Sequence, residues 1–184
     1  MYKAIFLDRD GVIIENRSNY VRSWADVAFI SGALEALERL AATPYKVVVV
    51  TNQSAVGRGI ITLAEAQAIN KKLLEVIDDA GGRIDGLYLC PHAPEVGCQC
   101  RKPLPGLLLN AAGDLDIDLK KSLMVGDALT DVQAGQGAGV PDNYLVLTGR
   151  GMDQMKLPGA EPLRPFTIIE SLANLPAIVM ELSK

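Results

Sequence analysis

Short runs of β-branched and apolar residues alternate along this chain with longer stretches in which apolar positions recur at helical spacing. That alternation is the pattern of a parallel sheet covered by helices. Five runs predict strands: residues 3–8 (KAIFLD), 46–51 (KVVVVT), 86–90 (GLYLC), 122–127 (SLMVGD) and 144–148 (YLVLT). Helices are predicted over about 32–42, 63–80, 107–115 and 130–137. The one at 63–80 is the best marked. Thr62 and Glu65 have capping-box spacing, Ala66, Ile69, Leu73 and Val76 keep one face apolar, and Gly81-Gly82 ends it. The C-terminal stretch PFTIIESLANLPAIVMEL predicts a short strand, then a helix with Pro176 near its start.

Three stretches break the rhythm. Residues 10–31, with Tyr20 and Trp24, are too long for a simple turn and predict a small flap over the sheet edge. Residues 149–165, rich in Gly and Pro, predict a surface loop. The third, CPHAPEVGCQCRKP at 90–103, holds all three cysteines and the only histidine. With 184 residues, 49% of them hydrophobic, the chain suits one domain spanning 1–184. Lys and Arg number 18 against 22 Asp and Glu, a formal charge of −4. No basic excess exists to neutralise a polymer of phosphates or an anionic membrane, so neither nucleic acid nor membrane is an expected partner. The start, MYKAIFLDRDG, lacks the basic region, apolar run and cleavage site of a signal peptide, and no apolar run nears the roughly 18 residues of a membrane span. These features predict a cytoplasmic protein, and nothing in them demands more than a monomer.

Candidate chemistry gathers where strands end, because parallel strands bring their C-terminal ends to one edge. DRDG sets Asp8 and Asp10 two residues apart, on one side of an extended chain, and Asp127 arrives from another strand. Three carboxylates in one place repel one another unless a cation or shared proton compensates, and oxygen ligands beside a phosphate favour Mg2+. Taken singly, Asp10-Gly11 is equally a turn and Asp127-Ala128 equally a helix cap. TNQS, from Thr51 to Ser54, offers hydroxyls, an amide and backbone N–H groups to an anion, or simply caps a helix. Arg58 lies between glycines, and Arg101 and Lys102 follow the cysteines directly. Cys90, His92, Cys98 and Cys100 are zinc-type ligands, and in a reducing compartment three thiols do not make a disulfide framework. Because the sole histidine lies in that cluster, a Ser-His or Cys-His mechanism lacks its base. Neither G-x-x-x-x-G-K-[ST] nor an early G-x-G-x-x-G occurs. A carboxylate nucleophile is the remaining choice.

In order, DRDG, TNQS, RK and GDALTD resemble the four motifs of the haloacid dehalogenase (HAD) superfamily of phosphatases. More narrowly, FLDRDG, VVVTNQS, CPHAP…CQCRKPLPG and MVGD resemble the subgroup of D,D-heptose 1,7-bisphosphate and histidinol-phosphate phosphatases, over residues 2–151. The resemblance implies an α/β, three-layer Rossmann-like domain without a separate cap, carrying a zinc loop at 90–100. It also implies residue roles. Asp8 would be the nucleophile and Asp10 the general acid and base. Mg2+ would be held by Asp8, the backbone carbonyl of Asp10 and Asp127. Thr51, Asn52 and Lys102 would grip the phosphoryl group, and Arg101, Ser54 and Arg58 would contact the rest of the substrate. Four ligands at Cys90, His92, Cys98 and Cys100 leave no open position, so Zn2+ would be structural, fixing Arg101 and Lys102 over the phosphate.

Three positions depart from the family pattern: Val12 where Thr is common, Ala55 where Gly is frequent, and Ala128 where the heptose enzymes often carry Lys. None touches the nucleophile. The expected activity is Mg2+-dependent hydrolysis of a small phosphorylated sugar, D-glycero-D-manno-heptose 1,7-bisphosphate, at its 7-phosphate. Histidinol phosphate is the nearest alternative, a polynucleotide 3'-phosphate is a more distant one, and a non-catalytic zinc-bearing interaction domain belongs to a different class.

Overall fold

Val47, Val48, Val49 and Val50 are all fully buried. Such an unbroken apolar run marks a strand covered on both faces. In the computed structural model, which describes residues 1–163 and 165–182, these valines lie in the second of six parallel strands. The strands are β1 (Ala4–Leu7), β2 (Lys46–Asn52), β3 (Gly86–Cys90), β4 (Leu123–Gly126), β5 (Asp142–Val146) and β6 (Thr167–Ile169). Helices α1 (Ala33–Ala41), α2 (Ser54–Gly57), α3 (Leu63–Asp79), α4 (Gly106–Leu115), α5 (Leu129–Gly137), α6 (Gly151–Gln154) and α7 (Leu175–Leu182) connect and follow them. The sheet order is β3-β2-β1-β4-β5-β6, all parallel. It is the doubly wound order, and the winding reverses between β1 and β4, where such sheets open a crevice at their C-terminal edge.

Alternation along the strands divides the core in two. Ile5, Leu7, Val47, Val49, Leu123 and Val125 face α1, α3 and α7, while Ala4, Phe6, Val48, Val50 and Met124 face α4 and α5. The three-layer α/β architecture therefore stands as predicted, and no separate cap domain occurs among the described residues. No helix among them is long and apolar enough to cross a membrane. At α3 the capping box forms: the Thr62 N–H donates to Glu65 Oε2 at 2.7 Å and the Glu65 N–H to Thr62 Oγ1 at 3.1 Å. The buried face of α3 runs through Ala66, Ile69, Leu73 and Ile77 rather than Val76, and it includes one polar residue, Asn70.

Three expectations need correction. Strand β5 begins at Asp142, two residues early, because Pro141 and Asp142 look like turn residues; it ends at Val146, where the Leu147 N–H turns to the carbonyls of Ile169 and Glu170. The stretch 149–165 is not plain loop. It holds α6 and a 3-10 turn at Glu161–Leu163, pinned to α5 when the Leu129 N–H donates to Gln154 Oε1 (3.1 Å) and Gln136 Nε2 to the Leu163 carbonyl (2.7 Å). Arg164, within that stretch, lies outside the described residues. The segment 10–31 is a flap only at its rim. Val12, Ile13 and Ile14 are fully buried and Ile14 bridges to Phe29, so the base belongs to the core. Val12 and Ala55, two of the departures from the family pattern, are thus absorbed as apolar packing.

Candidate active site

Asp8 follows β1 directly, and its N–H still donates to the Val125 carbonyl (2.9 Å), so its carboxylate stands at the crevice between β1 and β4. Asp127 follows β4 in the same way. Asp131, one turn into α5, points back and accepts the Ala128 N–H at 3.0 Å. Oxygens of Asp8, Asp127 and Asp131 all lie within 4.8 Å of one another, and all three side chains are buried. Lys102 offsets their charge. Its Nζ lies 3.0 Å from Asp8 Oδ1 and 2.6 Å from Asp131 Oδ1, and it donates to the Val50 carbonyl at 2.7 Å. Burial pushes Asp8 up to about 7; Lys102 opposes this shift, and Asp131, Asp127 and Asp10 add to it. Burial works against the charge of Lys102, but Asp131 and Asp8 outweigh it and hold the ammonium above the ordinary lysine range.

Asp127 has a partner that the motifs do not announce. Arg150 forks across it, with Nη2 donating to Oδ1 at 2.9 Å and Nε to Oδ2 at 3.3 Å, while the Arg150 backbone N–H also reaches Oδ2 at 2.9 Å. Asn16 Nδ2 donates to the same oxygen. Burial raises the pKa of Asp127, and the Arg150 contacts work against that rise. Gly11 and Gly149 make this close approach possible. Both have positive φ, 84° and 60°, and a Cβ on either would strike the Asp127 carboxylate and Asn16. A convergent set of oxygens carrying excess negative charge fits a hard divalent cation such as Mg2+.

Asp10 is not part of the acidic cluster. Its carboxylate accepts Arg9 Nε at 3.0 Å, Arg9 Nη2 at 3.2 Å and Gln53 Nε2 at 3.0 Å. Arg9 is only 1% exposed; its Nη1 donates to Asn70 Oδ1 on α3 (2.7 Å) and its Nη2 to Gln53 Oε1 (3.0 Å). Sequence reasoning missed Arg9, Gln53 and Asn70. The one visible signal was a polar residue, Asn70, on the apolar stripe of α3.

Asp10, Asn52, Ser54, Arg101, Lys102 and Arg150 line a cavity of about 390 Å³, overhung by Arg17 and Tyr20 from the flap rim. Thr51 is buried beside it, accepting Gln53 Nε2 at 2.8 Å. Asn52 clamps the lysine backbone from both sides: its Nδ2 donates to the Lys102 carbonyl (3.0 Å) and the Lys102 N–H donates to its Oδ1 (3.1 Å). Of the other predicted residues, Asp8, Thr51 and Asp127 are buried and stay outside the cavity lining, and so does Arg58. Arg58 is exposed and pairs with Glu95 at 3.1 Å, on the outer side of the cysteine loop.

In that loop the four zinc-type ligands converge. The sulfurs of Cys90, Cys98 and Cys100 are 3.2 to 3.5 Å apart, and His92 Nδ1 is 3.6 Å from Cys90 and 3.3 Å from Cys100. A tetrahedral zinc with Zn–S bonds of about 2.3 Å has ligand edges of roughly 3.7 Å, so the set fits that ion with a slight expansion. Burial raises the Cys100 thiol to about 12; Cys98 is lowered to about 7 because hydrogen bonds from Cys100 and Cys90 outweigh its own burial. Arg101 Nη1 donates to the His92 carbonyl at 3.2 Å, so the loop that gathers the ligands also aims Arg101 and Lys102.

Known proteins resemble this chain in sequence and fold. A protein-family model described as HAD-hydrolase-like matches residues 99–175. The chain is 41% identical over 149 residues to the D-glycero-beta-D-manno-heptose-1,7-bisphosphate 7-phosphatase of Bordetella bronchiseptica, covering 81% of this chain and 83% of that protein. It is 38% identical over 185 residues to the protein of the same name from Pasteurella multocida, covering 97% of each. Among solved structures, D,D-heptose 1,7-bisphosphate phosphatase from B. bronchiseptica, complexed with magnesium and phosphate, matches with a TM-score of 0.88 at 36% identity, over 97% of this chain and 98% of that one.

Proposed function

The chain belongs to the D-glycero-beta-D-manno-heptose-1,7-bisphosphate 7-phosphatase family of HAD-like hydrolases, and on that premise we propose that it removes the 7-phosphate of the β-anomer of this sugar bisphosphate. One observation in the site carries the reading: Lys102, at the floor of the cavity, holds the buried Asp8, and Arg150, at its rim beside Arg17 and Arg101, holds the buried Asp127. The floor suits the reacting phosphoryl group. The rim suits a substrate with a second phosphate.

On this reading an Asp8 oxygen attacks phosphorus, the bond from phosphorus to the sugar oxygen breaks, and Asp10 gives that oxygen its proton. Asp10 then takes a proton from water, the water oxygen attacks the aspartyl-phosphate, and phosphate leaves with Asp8 restored. Its bonds from Arg9 and Gln53 hold Asp10 at the cavity wall for both transfers. Lys102, Thr51 and Asn52 orient the phosphoryl group, and Arg101 and Ser54 face the remainder of the substrate. Asp8, Asp127 and the Asp10 carbonyl would hold Mg2+, which would supply positive charge to the phosphoryl oxygens. Zn2+ on Cys90, His92, Cys98 and Cys100 is structural. We read residues 1–184 as one domain that acts as a monomer, in cytoplasmic heptose biosynthesis.

The relatives carry the heptose name, so histidinol phosphate is not favoured. The test is phosphate release with Mg2+ from the β and α anomers and from histidinol phosphate, compared as kcat/KM. A preference for the β anomer of about 100-fold, equivalent to about 2.7 kcal/mol in the transition state, is expected. Similar low rates on all three would overturn the substrate assignment, and an Asp8→Asn protein that still released phosphate would overturn the chemistry.

A further inference from the structure

Three arginines at the cavity rim differ in what holds them. Arg17 pairs with Glu15 and donates to the Asp26 carbonyl, and Arg101 donates to the His92 carbonyl. Among the described residues, the hydrogen bonds of the Arg150 guanidinium go to Asp127 alone, the carboxylate assigned above to the cation. The fork takes both oxygens, and Asn16 and the Arg150 N–H crowd Oδ2 further. A divalent cation at Asp127 needs one of those oxygens and repels the guanidinium that shares them.

The Arg150 side chain is 55% exposed and caps the start of α6, just after Gly149, so about half of it borders open space rather than packed protein. It also lines the cavity. We propose that Arg150 and the divalent cation compete for Asp127, and that the cation, on binding, releases the guanidinium into the cavity, where it meets the phosphorylated substrate. This rests on reading the site as that of a Mg2+-dependent phosphatase. Arg150 thereby couples metal loading to substrate affinity: in the metal-free protein it holds the acidic crevice together, and in the loaded one it is a specificity residue.

The test is a calorimetric titration of Mg2+ alone into wild type, Arg150→Gln and Arg150→Lys, each dialysed free of magnesium without a chelator strong enough to strip zinc. The backbone N–H bond to Asp127 survives in every variant, so the crevice keeps that support. Arg150→Gln should bind Mg2+ up to about fivefold more tightly, the upper end of what a half-exposed ion pair contributes, and Arg150→Lys should fall between. At saturating Mg2+, Arg150→Gln should raise KM for the bisphosphate by about tenfold with a smaller change in kcat. Unchanged or weaker Mg2+ binding by Arg150→Gln would overturn the competition. An unchanged KM would overturn the substrate contact. Because the titration contains no substrate, failure of the heptose assignment leaves it intact, whereas a wild type that binds no Mg2+ overturns both this inference and the proposed mechanism.

Discussion

Replacing Lys102 with Met tests the electrostatic centre of the site. The residue is 3% exposed, and its ammonium lies 3.0 Å from Asp8, 2.6 Å from Asp131 and 2.7 Å from the Val50 carbonyl. Methionine fills a similar volume, so the perturbation is mainly loss of charge. It strands two buried carboxylates, and breaking a buried ion pair from one side costs about 3–5 kcal/mol. For a chain of this size that corresponds to a fall in melting temperature of roughly 6–20 °C. The cost should depend on pH. Asp8 already stands at about 7, and once Lys102 no longer opposes its protonation it takes a proton more readily, so the penalty should be smaller near pH 5.5 than near pH 8. Lys102 itself stays charged throughout that range, because its pKa is raised and the stability it lends is lost only on the alkaline side. Urea unfolding of both proteins at the two pH values, without Mg2+, measures the difference. A loss under about 1 kcal/mol at pH 8, or a larger loss at pH 5.5, would refute the argument that Lys102 balances the buried carboxylates.

Two further outcomes follow from the same geometry. The protein as purified should carry a single zinc per chain by elemental analysis; Cys98→Ser should lower that content and raise KM, since the loop that aims Arg101 is then untied. The raised pKa of Asp8 means that folding favours its protonated form. In the metal-free protein, stability from this group is therefore present below the ordinary carboxylate pKa and lost as pH climbs from about 4 to about 7. Mg2+ binding must displace that proton, so the gain in melting temperature on adding Mg2+ should be larger at pH 8 than at pH 6; a pH-independent gain would contradict the assignment of Asp8 as ligand.

The local signals proved sound where short stretches carry them. The valines of β2, the Thr62–Glu65 box and the ligand spacing of the cysteine loop each depend on neighbours within a dozen residues, and each appears in the structure as read. Asp131 braces the strand-to-helix turn at Ala128 and also pairs with Lys102, a contact that no local spacing announces. Arg58 failed to reach the cavity because its glycine flanks say only that the chain turns there, and Glu95, 37 residues away, captures it.

What sequence alone determined was therefore the α/β alternation, the acidic residues at the ends of β1 and β4, the zinc-type cluster and the family. The contacts that surround Asp10 and Asp127 were decided by tertiary structure. Arg9 meets Asn70 across 61 positions, Asn16 meets Asp127 across 111, and Arg150 meets Asp127 across 23. These partners lie on different elements, and their side chains are brought together only once β4 is set beside β1 and the 10–31 segment folds back over the crevice. The order of strands in a sheet is a global minimum of packing, not a property of any window of residues, so no periodicity along the chain announces which polar groups will meet.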